Sequence, residues 1–93
     1  SATATMSARM AAPIDNSGAV LSPMVGTVYL SPGPGEPPFV TVGQPIQAGQ
    51  TVLLIEAMKT FNEVKAHRTG TIARILVASG QAVEFGELLA VIE

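Results

Sequence analysis

An all-β fold built from two packed antiparallel sheets is expected from three features of this sequence. Short apolar runs alternate with Gly, Pro, Ser and Asn. No run reaches helix length with an amphipathic stripe. The second half of the chain also repeats the first. Strands of four to eight residues separated by turn-forming residues read as a sandwich or barrel. The chain has 93 residues, 47% hydrophobic and 13% charged, so it is one domain with enough apolar side chain to fill a core.

In chain order, residues 1–18 are rich in Ala, Ser and Thr and hold no period of 3.6 or 2. A short Ala/Met helix over 4–12 is conceivable, but isolated helices of that length are marginal in water, and a flexible linker is the expected form. The folded domain is expected over 19–93. Val20-Leu21 precedes Ser22-Pro23, and residues 26–30 form a strand entered through Gly26. Residues 51–58 make a strongly apolar strand and 60–65 a more polar one, while 70–77 and 87–92 complete the set.

The repeat aligns residues 43–56 with 80–93 at a constant offset of 37. Gly43/Gly80, Gln44/Gln81, Gly49/Gly86, Ile55/Ile92 and Glu56/Glu93 are identical. Upstream, Gly26-Thr27-Val28 matches Gly70-Thr71-Ile72 at an offset of 44, so the first half carries seven additional residues. Halves of this size cannot bury a hydrophobic face alone and must pack on one another, most simply about a pseudo-two-fold axis. Gly49 and Gly86 then occupy equivalent tight turns with positive φ, a structural role.

The additional residues lie between Leu30 and Gly43, in Ser31-Pro32-Gly33-Pro34-Gly35-Glu36-Pro37-Pro38 followed by Phe39 and Val40. Four Pro and two Gly cannot continue a central strand, so residues 31–39 are expected to protrude as a loop anchored by Phe39 and Val40. Two readings stand open for it: a dispensable surface loop, or a proline-stiffened functional protrusion.

Where the halves join, the apolar strand runs into Glu56-Ala57-Met58-Lys59 and leaves through Thr60-Phe61-Asn62. This is a hairpin over 56–62 with Lys59 at or near its tip, yet it lacks the Asn-Gly or Asp-Gly turn signal and places an apolar Met where water is expected. Local rules fail most often at functional sites, which singles out Lys59 as a side chain presented to another protein for modification.

Little else in the chain can do chemistry. Formal charge is −2, so no basic surplus exists to neutralise phosphates, and nucleic-acid binding is not expected. There is no Cys and one His, which removes thiol catalysis, disulfides and cysteine–zinc sites. His67 sits beside Arg68 without a visible nucleophile or acid partner and reads as a solvated loop residue; Glu36, Glu84 and Glu87 are scattered, with no metal-ligand spacing. The longest apolar runs cover four or five residues, against about 20 for a membrane-spanning helix. The N-terminus holds no signal-peptide stretch, and a cytoplasmic protein without membrane contact is expected.

On these residues the chain resembles the biotinyl domain of the biotinyl/lipoyl attachment family. The carriers are Ala57-Met58-Lys59 at the central hairpin, the duplicated half-sandwich, and the paired Gly-Gln and Ile-Glu elements, over roughly residues 20–93. The proline-rich insertion resembles the thumb of biotin carboxyl carrier proteins of bacterial-type acetyl-CoA carboxylases. The resemblance implies a flattened β-barrel, or hammerhead, of two four-stranded antiparallel sheets with pseudo-two-fold symmetry. It implies covalent biotin on Lys59, with Ala57 and Met58 framing the arm for recognition and positioning. The implied partners are a biotin protein ligase, a biotin carboxylase subunit and carboxyltransferase subunits. The carrier itself would be non-catalytic: one partner loads CO2 on the biotin ring, and another passes it to acetyl-CoA to give malonyl-CoA for fatty acid synthesis. Thr60 departs from the family pattern, where many relatives carry Met after the Lys. The alternatives are a biotinyl domain of another carboxylase and a lipoyl domain, whose hairpin usually reads Asp-Lys-Ala where this chain has Met58-Lys59-Thr60.

Overall fold

A computed structural model describes residues 18–93, and the linker expected over 1–18 falls, apart from Gly18, outside the described residues. The chain forms eight strands: β1 (Ala19–Leu21), β2 (Gly26–Tyr29), β3 (Pro45–Ile46), β4 (Thr51–Ala57), β5 (Thr60–Lys65), β6 (Gly70–Ile75), β7 (Ala82–Val83) and β8 (Leu88–Ile92). They assemble as two four-stranded antiparallel sheets in the orders β1-β8-β6-β3 and β5-β4-β2-β7. This is the flattened barrel that the resemblance implies. β3 and β7, two residues each, were too short to show a period in the sequence.

Each sheet takes two strands from either half, so the halves interlock and neither can fold without the other. The offsets of 37 and 44 map β1 to β5, β2 to β6, β3 to β7 and β4 to β8. The turns repeat in detail. Gly43 and Gly80 have φ of 93° and 90°. Their amides donate to Ile72 O and Val28 O, both at 2.7 Å. Gln44 and Gln81 accept, through Oε1, from the Thr41 and Ala78 amides at 3.1 and 3.0 Å.

Alternation along the strands, interrupted in β8 where its register with β1 shifts, sends Val20, Val28, Ile46, Leu53, Ile55, Val64, Ile72, Val83, Leu89 and Ile92 into one core between the sheets. Full burial of each such side chain contributes on the order of 1.5–3 kcal/mol. The core holds no charged group; its one buried polar side chain among the described residues, Ser22, donates to Met24 O at 2.6 Å. No helix among the described residues is long and apolar enough to cross a membrane.

Candidate functional site

β4 and β5 form the longest ladder of the fold, from Thr51↔Lys65 to Ala57↔Thr60. The closing pair leaves two residues for the turn, Met58 and Lys59. Of the two-residue turns that match the right-handed twist of their strands, type I′ has φ > 0 at both positions. Met58 and Lys59 adopt 54° and 64°, and they are the only non-glycine residues with positive φ among the described residues. Each costs about 1–2 kcal/mol relative to an ordinary conformation, so the ladder imposes this turn on residues that do not prefer it. Met58 is 97% exposed, and Lys59 projects from the tip with no ion-pair partner among the described residues. Ala57, half-buried, ends β4 directly beneath. Asn62 holds the base of the hairpin by donating Nδ2 to Ile55 O at 3.3 Å and to Thr60 O at 3.2 Å.

On the outward face of the same sheet, Glu56 lies opposite Phe61 on β5 and Thr27 on β2. Phe61 packs against Tyr29 with ring centroids 5.9 Å apart at 56°, a tilted pair. The Tyr29 hydroxyl donates to Glu56 Oε1 at 3.2 Å. This hydrogen bond raises the Tyr29 pKa above 10.0, with desolvation and the Glu56 charge adding to the effect. The folded value is raised, so the contribution to stability is complete below the unfolded pKa and lost as pH climbs through the folded one. The chain has one Tyr and no Trp, so its alkaline absorbance titration reads this group alone. The expected midpoint lies above 10.0 and moves down in Glu56→Gln; equal midpoints in the two proteins contradict the pairing.

Tyr29, Leu54 and Phe61 floor a groove of about 550 Å³, walled on one side by residues 31–35 and on the other by Ser79 and Gly80. The wall is the proline-rich insertion, which stands out from the body as expected. Its neck is closed by Phe39 N donating to Leu30 O at 2.9 Å, and Leu30 N donates to Ser79 Oγ at 2.8 Å. Phe39 packs on the core and Val40 is buried within it. Ser31 Oγ donates to Gly33 O at 3.0 Å, and the Glu36 amide to the same oxygen at 3.1 Å, so the loop is a string of small turns.

Of the residues singled out in the sequence, Ala57, Met58 and Lys59 thus come together at one tip, and the groove walled by the insertion reaches this hairpin at Phe61. The groove floor was not anticipated. Tyr29 and Phe61 are 32 positions apart and meet only through the β2-β4-β5 register. A signal was present in the repeat, because Tyr29 corresponds to Ala73 and an aromatic replaces a methyl between otherwise similar halves. Among the described residues no cluster of three or more His, Asp or Glu could hold a metal ion.

Comparison with known proteins agrees with this geometry. Residues 18–92 match the Biotin_lipoyl family, described as "Biotin-requiring enzyme". Among curated relatives, the biotin carboxyl carrier protein of acetyl-CoA carboxylase 2, chloroplastic, of Arabidopsis thaliana is 55% identical over 71 residues, 76% of this chain and 28% of the relative. The biotin carboxyl carrier protein of acetyl-CoA carboxylase of Nostoc sp. is 53% identical over 70 residues, 75% of this chain and 38% of the relative. The first curated relatives are longer proteins, of which this chain spans between 26% and 52%. Among solved structures, urea carboxylase of Kluyveromyces lactis superposes with a TM-score of 0.68 at 36% identity, covering 81% of this chain and 6% of that one. With a match that takes in all eight strands and the Lys59 hairpin, the chain belongs to the Biotin_lipoyl family.

Proposed function

We propose that this chain is the biotin carrier domain of an acetyl-CoA carboxylase, with Lys59 as the attachment residue. The observation that carries the reading is the turn itself: a lysine at a strained two-residue tip, exposed and without an ion pair among the described residues, beside a groove with an aromatic floor. The residues fit the group. The Lys59 amine stands clear for amide formation by a biotin protein ligase once its ammonium has lost a proton. The groove begins two residues away, at Phe61, and offers ring faces below and backbone amides and carbonyls of residues 31–35 at the side. When bound, biotin supplies a ureido nitrogen that accepts a carboxyl group from a carboxylase and yields it to a carboxyltransferase.

The chain's own part in this is mechanical and electrostatic. The β4–β5 ladder fixes where the arm is rooted; Met58 and Ala57 frame that root and form the surface that ligase and partner enzymes read. Tyr29 and Phe61 give the apolar ring system a place to rest, and the thumb shields it from water through main-chain groups. Tethering raises the effective concentration of the arm at each partner site. Neither bond-making step uses a side chain of this domain, so the chain is a carrier subunit and not an enzyme by itself. The names of the relatives support the acetyl-CoA carboxylase assignment, and the biotin carboxylase and carboxyltransferase partners and the product malonyl-CoA belong to the reading on the strength of the family resemblance. The reading keeps the carrier in the cytoplasm, although some relatives are named chloroplastic.

Incubation with biotin protein ligase, biotin and ATP, followed by intact-mass measurement and an avidin blot, tests it. One biotin per chain is the expected product. An unchanged mass, or lipoate taken up in place of biotin from a lipoate ligase, overturns the reading. The thumb has its own test: residues 31–38 replaced by a short Gly-Ser turn. These residues are exposed or half-buried outside the core, so the unfolding free energy is expected to change by about 1 kcal/mol or less. Carboxyl transfer is expected to fall about 10-fold, the scale of one lost positioning contact. Global unfolding would make the loop structural instead.

A further inference from the structure

Four of the seven exposed large apolar side chains among the described residues lie at the Lys59 end of the barrel: Met58, Phe85 (76% exposed), Val25 (63%) and Leu21 (47%). The sheet register puts them there. Gly26 begins β2 beside the end of β4, so close that a Cβ on it would meet Glu56 O at 2.5 Å, and on its other side it pairs with Val83. Val25 and the Glu84-Phe85 turn therefore leave the sheet at the same end as Met58 and Lys59, each about one strand spacing, 4.8 Å, from the next. Gly86 N donates to Ser22 O at 2.7 Å, which seats the Phe85 turn against the segment that follows Leu21.

The pseudo-symmetry shows that the fold does not require this apolar surface. The mates of Val25, Phe85 and Leu21 are Thr69, Ala48 and Lys65, in the same turns with the same backbone bonds. Gly49 N, for instance, donates to Ala66 O at 2.8 Å, as Gly86 N does to Ser22 O. Charge divides the same way. Glu56, Glu84 and Glu87 stand at the Lys59 end, while Lys65, His67 and Arg68 fall in the segment equivalent to residues 21–24.

We propose that Leu21, Val25 and Phe85 form a docking face for the enzyme that carboxylates the group carried on Lys59, a proposal that rests on the carrier reading above. The face is continuous with the hairpin that this enzyme must reach. Its acidic rim selects the occupant. An active site that handles bicarbonate and a nucleoside triphosphate has a cationic mouth, and acylation of Lys59 removes the one cation among the described residues at this end, so the loaded domain is more complementary to that mouth than the bare one. Phe85, projecting from a turn of fixed geometry, is the apolar anchor.

The test installs the symmetry mates' residues, Leu21→Lys, Val25→Thr and Phe85→Ala, in the full chain, with Phe85→Ala alone as the milder variant. Biotinylated protein is then assayed as substrate for the biotin carboxylase subunit of a relative's acetyl-CoA carboxylase. The expected result is a KM raised about 10-fold with kcat within about two-fold, the pattern of lost uniform binding. The urea midpoint and the yield of biotin from the ligase are expected to stay unchanged, as is the KM of the reverse swap, Ala48→Phe with Thr69→Val. An unchanged carboxylase KM in the folded, biotinylated variants overturns the proposal. A rise in KM for the ligase or the carboxyltransferase alone also overturns it, giving the face to that enzyme. Failure of the unaltered chain to take biotin is a different result, since it removes the carrier reading itself.

Discussion

Lys59→Arg is expected to abolish biotin incorporation completely while leaving the unfolding midpoint unchanged. Arginine keeps the positive charge and nearly the same length, so the hairpin surface that a ligase meets is conserved. The guanidinium stays protonated at any workable pH and offers no nitrogen lone pair for acyl transfer. Lys59 is exposed and makes no ion pair among the described residues, so its replacement removes no buried contact from the core. Lys65, the other lysine of the hairpin strands, pairs with Glu63 at 3.6 Å at the far end of β5 and provides the control: Lys65→Arg is expected to incorporate biotin normally. Intact mass distinguishes the outcomes, and biotin retained on the Lys59→Arg protein would refute the site.

A large loss of stability is expected at Gly26 and Gly70, the glycines that open the matching triplets of the repeat. A Cβ on Gly26 would sit 2.5 Å from Glu56 O and 2.6 Å from Ile55 Cγ2; one on Gly70 would sit 2.5 Å from Glu93 O and 2.9 Å from Ile92 Cγ2. Backbone of the neighbouring strand and a fully buried Ile block the methyl in both cases, so neither side can yield cheaply. Gly26→Ala and Gly70→Ala are each expected to cost about 3 kcal/mol, the upper range for overpacking a core. Gly35→Ala meets no atom within 4 Å, and only its φ of 78° opposes it, so about 1 kcal/mol is expected there. Urea unfolding monitored by circular dichroism measures all three. A cost at Gly26 no greater than at Gly35 would contradict the packing argument.

Much of this fold is legible in the sequence. The offset repeat specified two similar halves packed on one another, the prolines of residues 31–38 specified a protrusion, and Met58-Lys59 between an apolar and a polar strand marked the hairpin. The strand exchange between halves was not legible, because Pro45–Ile46 and Ala82–Val83 are too short to show alternation and yet complete both sheets. The turn conformation was hidden for another reason: Met and Lys carry no local preference for positive φ, which the strand register enforces from below. Nor could the groove be read from the chain, since Tyr29, Leu54 and Phe61 become neighbours only when three strands align.

The strained tip also bears on when the hairpin forms. A turn that opposes its own residues cannot nucleate the strands it joins, so β4 and β5 must be paired from the core outward, with the tip closing last. Substitutions at Met58 that relax the turn, such as Met58→Asn, are then expected to slow unfolding while leaving the folding rate nearly unchanged, giving φ-values close to zero in stopped-flow measurements. The part of the molecule that meets other proteins would be the last to assemble and the first to loosen.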